Sequence, residues 1–156
     1  MINKKPMRYK TVQDILKQAA VFHQRVAELA DEAAVDQDRE RLGMLLDYLS
    51  DHQSRLKSAI DAFRDEGSRK VMDTWFDRAP EIQVDELDQA ELASIKDVDA
   101  LVNRVVDFHD QVIELYANLR DQAAIDEVEQ VFADLADLER HEKMELVQGA
   151  QQLQDM

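Results

Sequence analysis

Residues 21–29 read VFHQRVAEL, and residues 107–115 read DFHDQVIEL. In the same order, DEAAVD at residues 31–36 returns as DQAAID at residues 121–126. Two matched segments in one order indicate an internal duplication, in which each copy is a helix, a short link and a second helix. The offset between copies grows from 86 residues for the first pair to 90 for the second, so we expect about one extra turn in the third helix.

Apolar residues in both copies recur every three or four positions, which is the spacing of one face of an α-helix. The predicted helices cover residues 11–34, 38–66, 97–120 and 125–153. Two short links and one long connection are typical of a four-helix bundle with a crossover, whereas an up-down-up-down bundle would need three short links. We therefore predict an all-α fold: a four-helix bundle of two repeated helical hairpins joined by a long crossover.

The crossover is predicted at residues 67–96 and a basic tail at residues 1–10, within one domain that covers residues 1–156. Trp75 and Phe76 are interpreted as residues that pack the crossover onto the bundle. The chain has three Gly, two Pro and no Cys. This composition favours helices, and it excludes disulfides, thiolate zinc sites and cysteine nucleophiles.

The formal net charge is −15, from 19 basic and 34 acidic residues, so we expect neither a nucleic-acid nor a membrane partner. No apolar run approaches the roughly 18 residues of a membrane span, and the basic N-terminal segment lacks the apolar region of a secretory signal. A cytoplasmic protein that forms a homodimer is expected, with no protein partner identified. Phosphate loops, nucleophile elbows and HExxH motifs are absent from the sequence, which therefore identifies no catalytic residue.

Five polar residues stand at positions where the predicted helices should bury apolar side chains. The first three helices each carry one histidine there, and the fourth carries two glutamates one turn apart: His23, His52, His109, Glu139 and Glu142. Counted from the links, all five belong to the middle third of the bundle. Imidazole and carboxylate ligands from several helices at one height predict a metal site for Fe, Mn or Zn.

An alternative explanation of these residues needs no metal. A single histidine on an apolar face is usually a hydrogen-bonded core residue, and the glutamates would then pair with the histidines in a buried polar network. Two unpaired carboxylates in a core cost several kcal/mol, so they need a cation, a shared proton or a basic partner, unless the bundle opens to water there. Under this alternative the chain is a metal-free helical bundle that acts as an interaction or oligomerisation module.

Two further residues are predicted to lie beside the site without binding the ion. His141 falls well off the apolar face of the fourth helix, and only a one-residue slip or a π-bulge would turn it inward. Tyr116 lies seven residues after His109 on the same face, where its hydroxyl is placed to hydrogen-bond a ligand.

The duplicated hairpin, the long crossover and the inward His and Glu residues together resemble the ferritin-like superfamily, of the rubrerythrin and bacterioferritin type. That resemblance implies Glu on the first and third helices, and Glu-x-x-His on the second and fourth, around two irons. The corresponding positions here are His23, Leu49 with His52, His109, and Glu139 with Glu142. Because three helices lack the expected glutamate, the ligand motif is degenerate. The resemblance then implies a mononuclear, altered or vestigial site, and any chemistry there would be redox or oxygen-linked.

Overall fold

The computed structural model describes residues 10–76 and 88–155. Residues 1–9 of the predicted basic tail and residues 77–87 of the predicted crossover lie outside this part of the chain. In chain order the elements are β1 (Lys10–Thr11), α1 (Val12–Asp36), α2 (Glu40–Glu66), α3 (Arg69–Met72), β2 (Trp75–Phe76), α4 (Gln89–Ser94), α5 (Val98–Gln122) and α6 (Asp126–Gln154). The predicted all-α fold is confirmed, with α1, α2, α5 and α6 as the four long helices of the bundle.

Capping residues mark the start of α1 and of α5 and the end of α2. Thr11 and Asp14 form a capping box at the start of α1, in which the Thr11 hydroxyl accepts from the Asp14 amide and the Asp14 carboxylate accepts from the Thr11 amide. Asp97 caps α5 by accepting a hydrogen bond from the amide of Ala100 at 3.1 Å. Gly67 ends α2, and its amide donates to the Phe63 carbonyl at 3.0 Å.

The two hairpins match at a constant offset, so the predicted extra turn in the third helix is wrong. Both α1 and α5 contain 25 residues, and each is followed by a three-residue link. DEAAVD lies within the end of α1, whereas DQAAID spans the end of α5, the link and the first residue of α6. The likeness between these two segments is therefore not positional, and the structural offset is 86 residues throughout the helices and their links.

The crossover is anchored to both ends of the bundle. Gln37, buried just after α1, donates hydrogen bonds from Nε2 to the carbonyls of Ala93 and Ile95, each at 3.0 Å. Strand β2 pairs antiparallel with β1, and the Phe76 ring packs on Phe132 with 5.6 Å between ring centroids. Phe76 is buried, so the packing prediction is confirmed for that residue, whereas Trp75 is 59% exposed and its packing role stays a prediction.

The bundle core is made by the apolar faces of the four long helices. Helices α1 and α2 pack along their lengths, as do α5 and α6, and α2 contacts α6 between the hairpins. This arrangement brings one polar position from each helix to the same interior region. Among the described residues, none of the helices is long and apolar enough to cross a membrane.

Candidate metal centre

The five residues predicted as metal ligands are all buried, as their places on the apolar faces required. Their contacts, however, form two groups rather than one. One group lies among all four long helices, and the other lies between α2 and α6. The periodicity of a helix shows which face a side chain lies on and how far along the bundle axis it is. It does not give the distance from that side chain to a residue on another helix, so the two groups could not be told apart from the sequence.

The first group, the central ring, consists of His23, Gln53, His109 and Glu139, one residue from each long helix. His23 Nδ1 lies 2.6 Å from Gln53 Oε1, and His23 Nε2 lies 2.6 Å from Glu139 Oε1. His109 Nδ1 lies 2.9 Å from Glu139 Oε2, and its Nε2 faces Gln53 Nε2 at 3.4 Å. The four side chains thus close a circle of polar contacts inside the bundle.

Gln53 was missed by the sequence analysis, although the repeat contained the signal for it. His23 and Gln53 are 30 residues apart, and so are His109 and Glu139. At the structural offset of 86 residues, the counterpart of Glu139 is therefore Gln53, and the counterpart of Glu142 is Leu56. Leu49 and His52 are therefore not the counterparts of Glu139 and Glu142, and their comparison with the Glu-x-x-His pattern was wrong.

Electrostatics in the central ring favour an ionised Glu139 beside a protonated His23. Burial alone would raise the pKa of Glu139, but the nearby charge of His23 and the hydrogen bond from His109 lower it to about 2. Burial likewise acts to lower the pKa of His23, but the nearby charge of Glu139 and the hydrogen bond to Gln53 raise it above its ordinary value.

Tyr116 lies near the ring, but the hydrogen bond predicted from its hydroxyl to a ligand is not formed among the described residues. Burial and the nearby charge of Glu139 raise the pKa of its hydroxyl well above the ordinary value, so the phenol is neutral at pH 7. The hydroxyl is fully buried and has no hydrogen-bond partner among the described residues.

The second group, the edge cluster, consists of His52, Glu142 and Glu145. His52 Nδ1 contacts Glu142 Oε2, and one potential ligand atom from each of the three residues lies within 4.8 Å of the others. Within residues 10–76 and 88–155, no other set of three or more His, Asp or Glu residues meets that distance. Glu145 was not predicted, although its position three residues after Glu142 places it one turn along the same side of α6.

His141 lies on the surface, next to the edge cluster. Its side chain is 65% exposed, and its Nε2 lies 3.0 Å from Glu145 Oε1. Helix α6 is regular through this segment, so neither the slip nor the π-bulge that would turn His141 inward occurs. His141 therefore contacts the cluster from the solvent side.

Tyr48 covers His52 on the side of α2. Its ring lies 4.2 Å from the imidazole, measured between centroids, and tilted by 52°. Gly149 makes room for this ring, because a Cβ at position 149 would lie 2.9 Å from Tyr48 Cε1. His52 is consequently shielded from water while its Nδ1 faces Glu142.

The two groups differ in their fit to a metal ion. In the edge cluster, one imidazole and two carboxylates form a donor set that suits Fe, Mn or Zn. His52 Nε2 has no hydrogen-bond partner among the described residues, and the same is true of His23 Nε2 and Glu139 Oε1 in the central ring. In the central ring the only carboxylate is Glu139, and the amide of Gln53 takes the place of a second. A dinuclear iron centre with carboxylates from all four helices does not fit these residues.

Comparisons with known proteins bear on the fold alone. No family model matches the chain, and no curated protein matches it. A solved structure from Thermotoga maritima, described as that of a ferritin-like diiron-carboxylate protein, is similar to it with a TM-score of 0.59 and 16% sequence identity. The likeness covers 92% of this chain and 97% of that one. The chain therefore has the ferritin-like fold that the repeated hairpins and the crossover predicted.

Proposed function

We propose that this protein binds one Fe, Mn or Zn ion at the edge cluster. The observation that supports this proposal is the approach of three ligand atoms, from His52, Glu142 and Glu145, to within 4.8 Å of one another. Two carboxylates offset the charge of a divalent cation, and the imidazole adds a nitrogen donor that Fe, Mn and Zn accept more readily than Mg or Ca.

The surroundings of the cluster also support an ion there. Glu142 is buried beside His52, so its carboxylate needs a positive partner that water cannot replace. Glu145 is half-buried and reaches the solvent side, where His141 contacts it. A net charge of −15 on the whole chain attracts cations toward this exposed side.

Iron is among the candidates because the similar structure is described as a diiron-carboxylate protein. A bound iron or manganese ion would supply redox or oxygen-linked chemistry. This chain's own residues would then hold the ion on one face through His52 and Glu142, with Tyr48 excluding water beside the imidazole. That His23, His109 and Glu139 bind a metal ion stays a prediction, and the proposed site includes none of these three.

Calorimetric titration of untagged, EDTA-treated protein with Zn²⁺ and with Mn²⁺ tests the proposal. We expect about one equivalent to bind, and we expect Glu145→Gln to weaken binding at least tenfold because it removes a charged ligand. Glu129→Gln is the matched control, since it makes the same charge change at an exposed position of α6. Equal affinities in the two variants, or no binding by the wild-type protein, would favour the metal-free interaction module instead.

A further inference from the structure

Four residues with metal-binding side chains form a series of decreasing exposure at the edge cluster. The exposed fraction of the side chain falls from 65% at His141 to 39% at Glu145, 9% at Glu142 and 1% at His52. The first three belong to α6, and His52 belongs to α2. The proposed metal site is therefore connected to the solvent by side chains that can themselves bind a cation.

The two outermost residues of this series, His141 and Glu145, form what we call the outer pair. They are four residues apart on one helix, so their side chains are neighbours on its surface, and Nε2 of His141 lies 3.0 Å from Oε1 of Glu145. A nitrogen and an oxygen that bind one Zn²⁺ ion at right angles, each about 2.1 Å from it, are about 3 Å apart. The outer pair is thus already spaced as two ligands of one ion.

Glu145 belongs both to the outer pair and to the edge cluster, whereas His141 belongs only to the outer pair. The three residues whose ligand atoms lie within 4.8 Å of one another are His52, Glu142 and Glu145. An ion that passes from the outer pair into the cluster keeps Glu145 as a ligand and exchanges His141 for Glu142 and His52. It is therefore held by the protein at each stage of its transfer.

We propose that His141 takes up the metal ion from solvent and, with Glu145, passes it to Glu142 and His52. This inference rests on the proposed function, because it assigns the route by which an ion enters and leaves the edge cluster. His141 binds the ion only in transit and is not a ligand of the bound ion. It should therefore control the rates of binding and release without setting the affinity.

Tyr48 supports this route because it closes another approach to His52. Its ring lies against the imidazole, with 4.2 Å between ring centroids, and its hydroxyl donates to the Glu145 carbonyl at 3.5 Å. An ion cannot reach His52 through this ring. The side of the cluster that carries Glu145 and His141 is the exposed one.

The cations next to the cluster in sequence also leave the outer pair accessible to a metal ion. Arg140 Nη1 lies 2.9 Å from Asp137 Oδ1, and Lys143 Nζ lies 2.7 Å from Asp110 Oδ1. Each of these side chains is thus paired with a carboxylate outside the cluster. The carboxylate of Glu145 contacts the His141 imidazole instead.

Stopped-flow kinetics with Zn²⁺ test the proposal on the full-length protein, with a fluorescent zinc chelator as the indicator for both binding and release. We expect His141→Ala to slow both rates by about tenfold, because an ion held by the outer pair reaches the cluster at a high effective concentration. The equilibrium Kd is the ratio of the release and binding rate constants, so it should change by less than about twofold.

Two further variants distinguish ion transfer from a simple hydrogen bond to Glu145. His141→Gln keeps a hydrogen-bond donor four residues before the carboxylate, as Gln130 provides for Asp134 at 2.7 Å, but it removes the imidazole. We expect His141→Gln to be as slow as His141→Ala. Gln130→Ala is the matched control, since it removes a neutral donor from an exposed position of the same helix, and both rates should stay at their wild-type values.

Wild-type rates in His141→Ala or in His141→Gln would overturn the proposal. A change in only one of the two rates would also overturn it, because a faster release alone, for example, would make His141 a ligand of the bound ion. In each of these results the wild-type protein still binds zinc, so the proposed function stands. No zinc binding by the wild-type protein would overturn both.

Discussion

Glu139 is a buried carboxylate that lies between two histidines, 2.6 Å from His23 Nε2 and 2.9 Å from His109 Nδ1. The arrangement holds only while both partners are present. A buried ion pair contributes little net stability against an apolar replacement of the whole pair, but removing one partner leaves the other charge uncompensated. The ring should therefore be sensitive to single substitutions.

Glu139→Ala should destabilise the protein by about 3–5 kcal/mol, because it leaves the protonated His23 without its counter-charge in the core. Urea unfolding followed by circular dichroism measures the free energy of unfolding. Glu129→Ala, at an exposed position of the same helix, should change that free energy by less than about 0.5 kcal/mol. Similar values for the two variants would show that Glu139 is not paired as described.

The pair of His23 and Glu139 should also give the free energy of unfolding a defined dependence on pH. The Glu139 contribution is fully present above the ordinary pKa of 4.5 and is lost as the pH falls toward about 2. The His23 contribution is fully present below the ordinary pKa of 6.5 and is lost as the pH rises through the higher value in the folded protein.

Stability from this pair is therefore greatest between about pH 4.5 and 6.5 and falls on both sides. Chemical unfolding at a series of pH values, for wild type and for a His23→Gln, Glu139→Gln double variant, measures the difference due to the pair. A difference that stays constant from pH 3 to pH 9 would rule out the ion pair.

At the scale of the helices, two glycines differ in the space around them. Substituting each by alanine therefore distinguishes the effect of helix propensity from the effect of side-chain packing. A Cβ at Gly43 would meet only the Ala34 carbonyl oxygen at 3.8 Å, whereas a Cβ at Gly149 would lie 2.9 Å from the Tyr48 ring. Both residues lie within helices, where Ala is favoured over Gly by about 1 kcal/mol. The two substitutions should consequently have different effects.

Gly43→Ala should stabilise the protein by about 0.5–1 kcal/mol and leave the edge cluster unchanged. Gly149→Ala should stabilise the protein less than Gly43→Ala does, because the Tyr48 ring must move to make room for the new methyl group. It should also shift the NMR signals of His52, which lies under that ring. Thermal unfolding and histidine NMR of the two variants provide the comparison. Identical His52 signals in both would mean that Gly149 does not position Tyr48.

The four long helices were predicted well from the sequence, whereas the short strands β1 and β2 were not predicted and the site was predicted only in part. Apolar spacing located the four long helices to within a few residues, because burial of one helical face determines that pattern. Gln53 was missed because an amide is not a typical metal ligand, although the 86-residue offset between the histidine segments pairs it with Glu139. Glu145 was missed because its half-buried side chain lies off the apolar face.

For the whole molecule, the fold places two polar groups of different character in one bundle. The central ring is buried among the four long helices, whereas the edge cluster is acidic and reaches the solvent through Glu145 and His141. The expected homodimer stays a prediction.

The surplus of negative charge on the chain favours cation binding at the edge cluster, and this effect should weaken as salt screens the surface charges.

The affinity for Mn²⁺ should therefore fall as sodium chloride is raised from about 20 to 500 mM, because screening removes the long-range attraction of the acidic surface. Calorimetric titrations at several salt concentrations measure the slope. The Glu129→Gln variant should show nearly the same slope as wild type, since it changes the total charge little. A salt-independent affinity would indicate that only the immediate ligands matter.

The most direct test of the account is an anomalous difference map from crystals soaked in Zn²⁺, with data collected at the zinc absorption edge. We predict one strong peak among the side chains of His52, Glu142 and Glu145, and no peak between His23 and Glu139. A peak inside the central ring, or an edge cluster without one, would contradict the account.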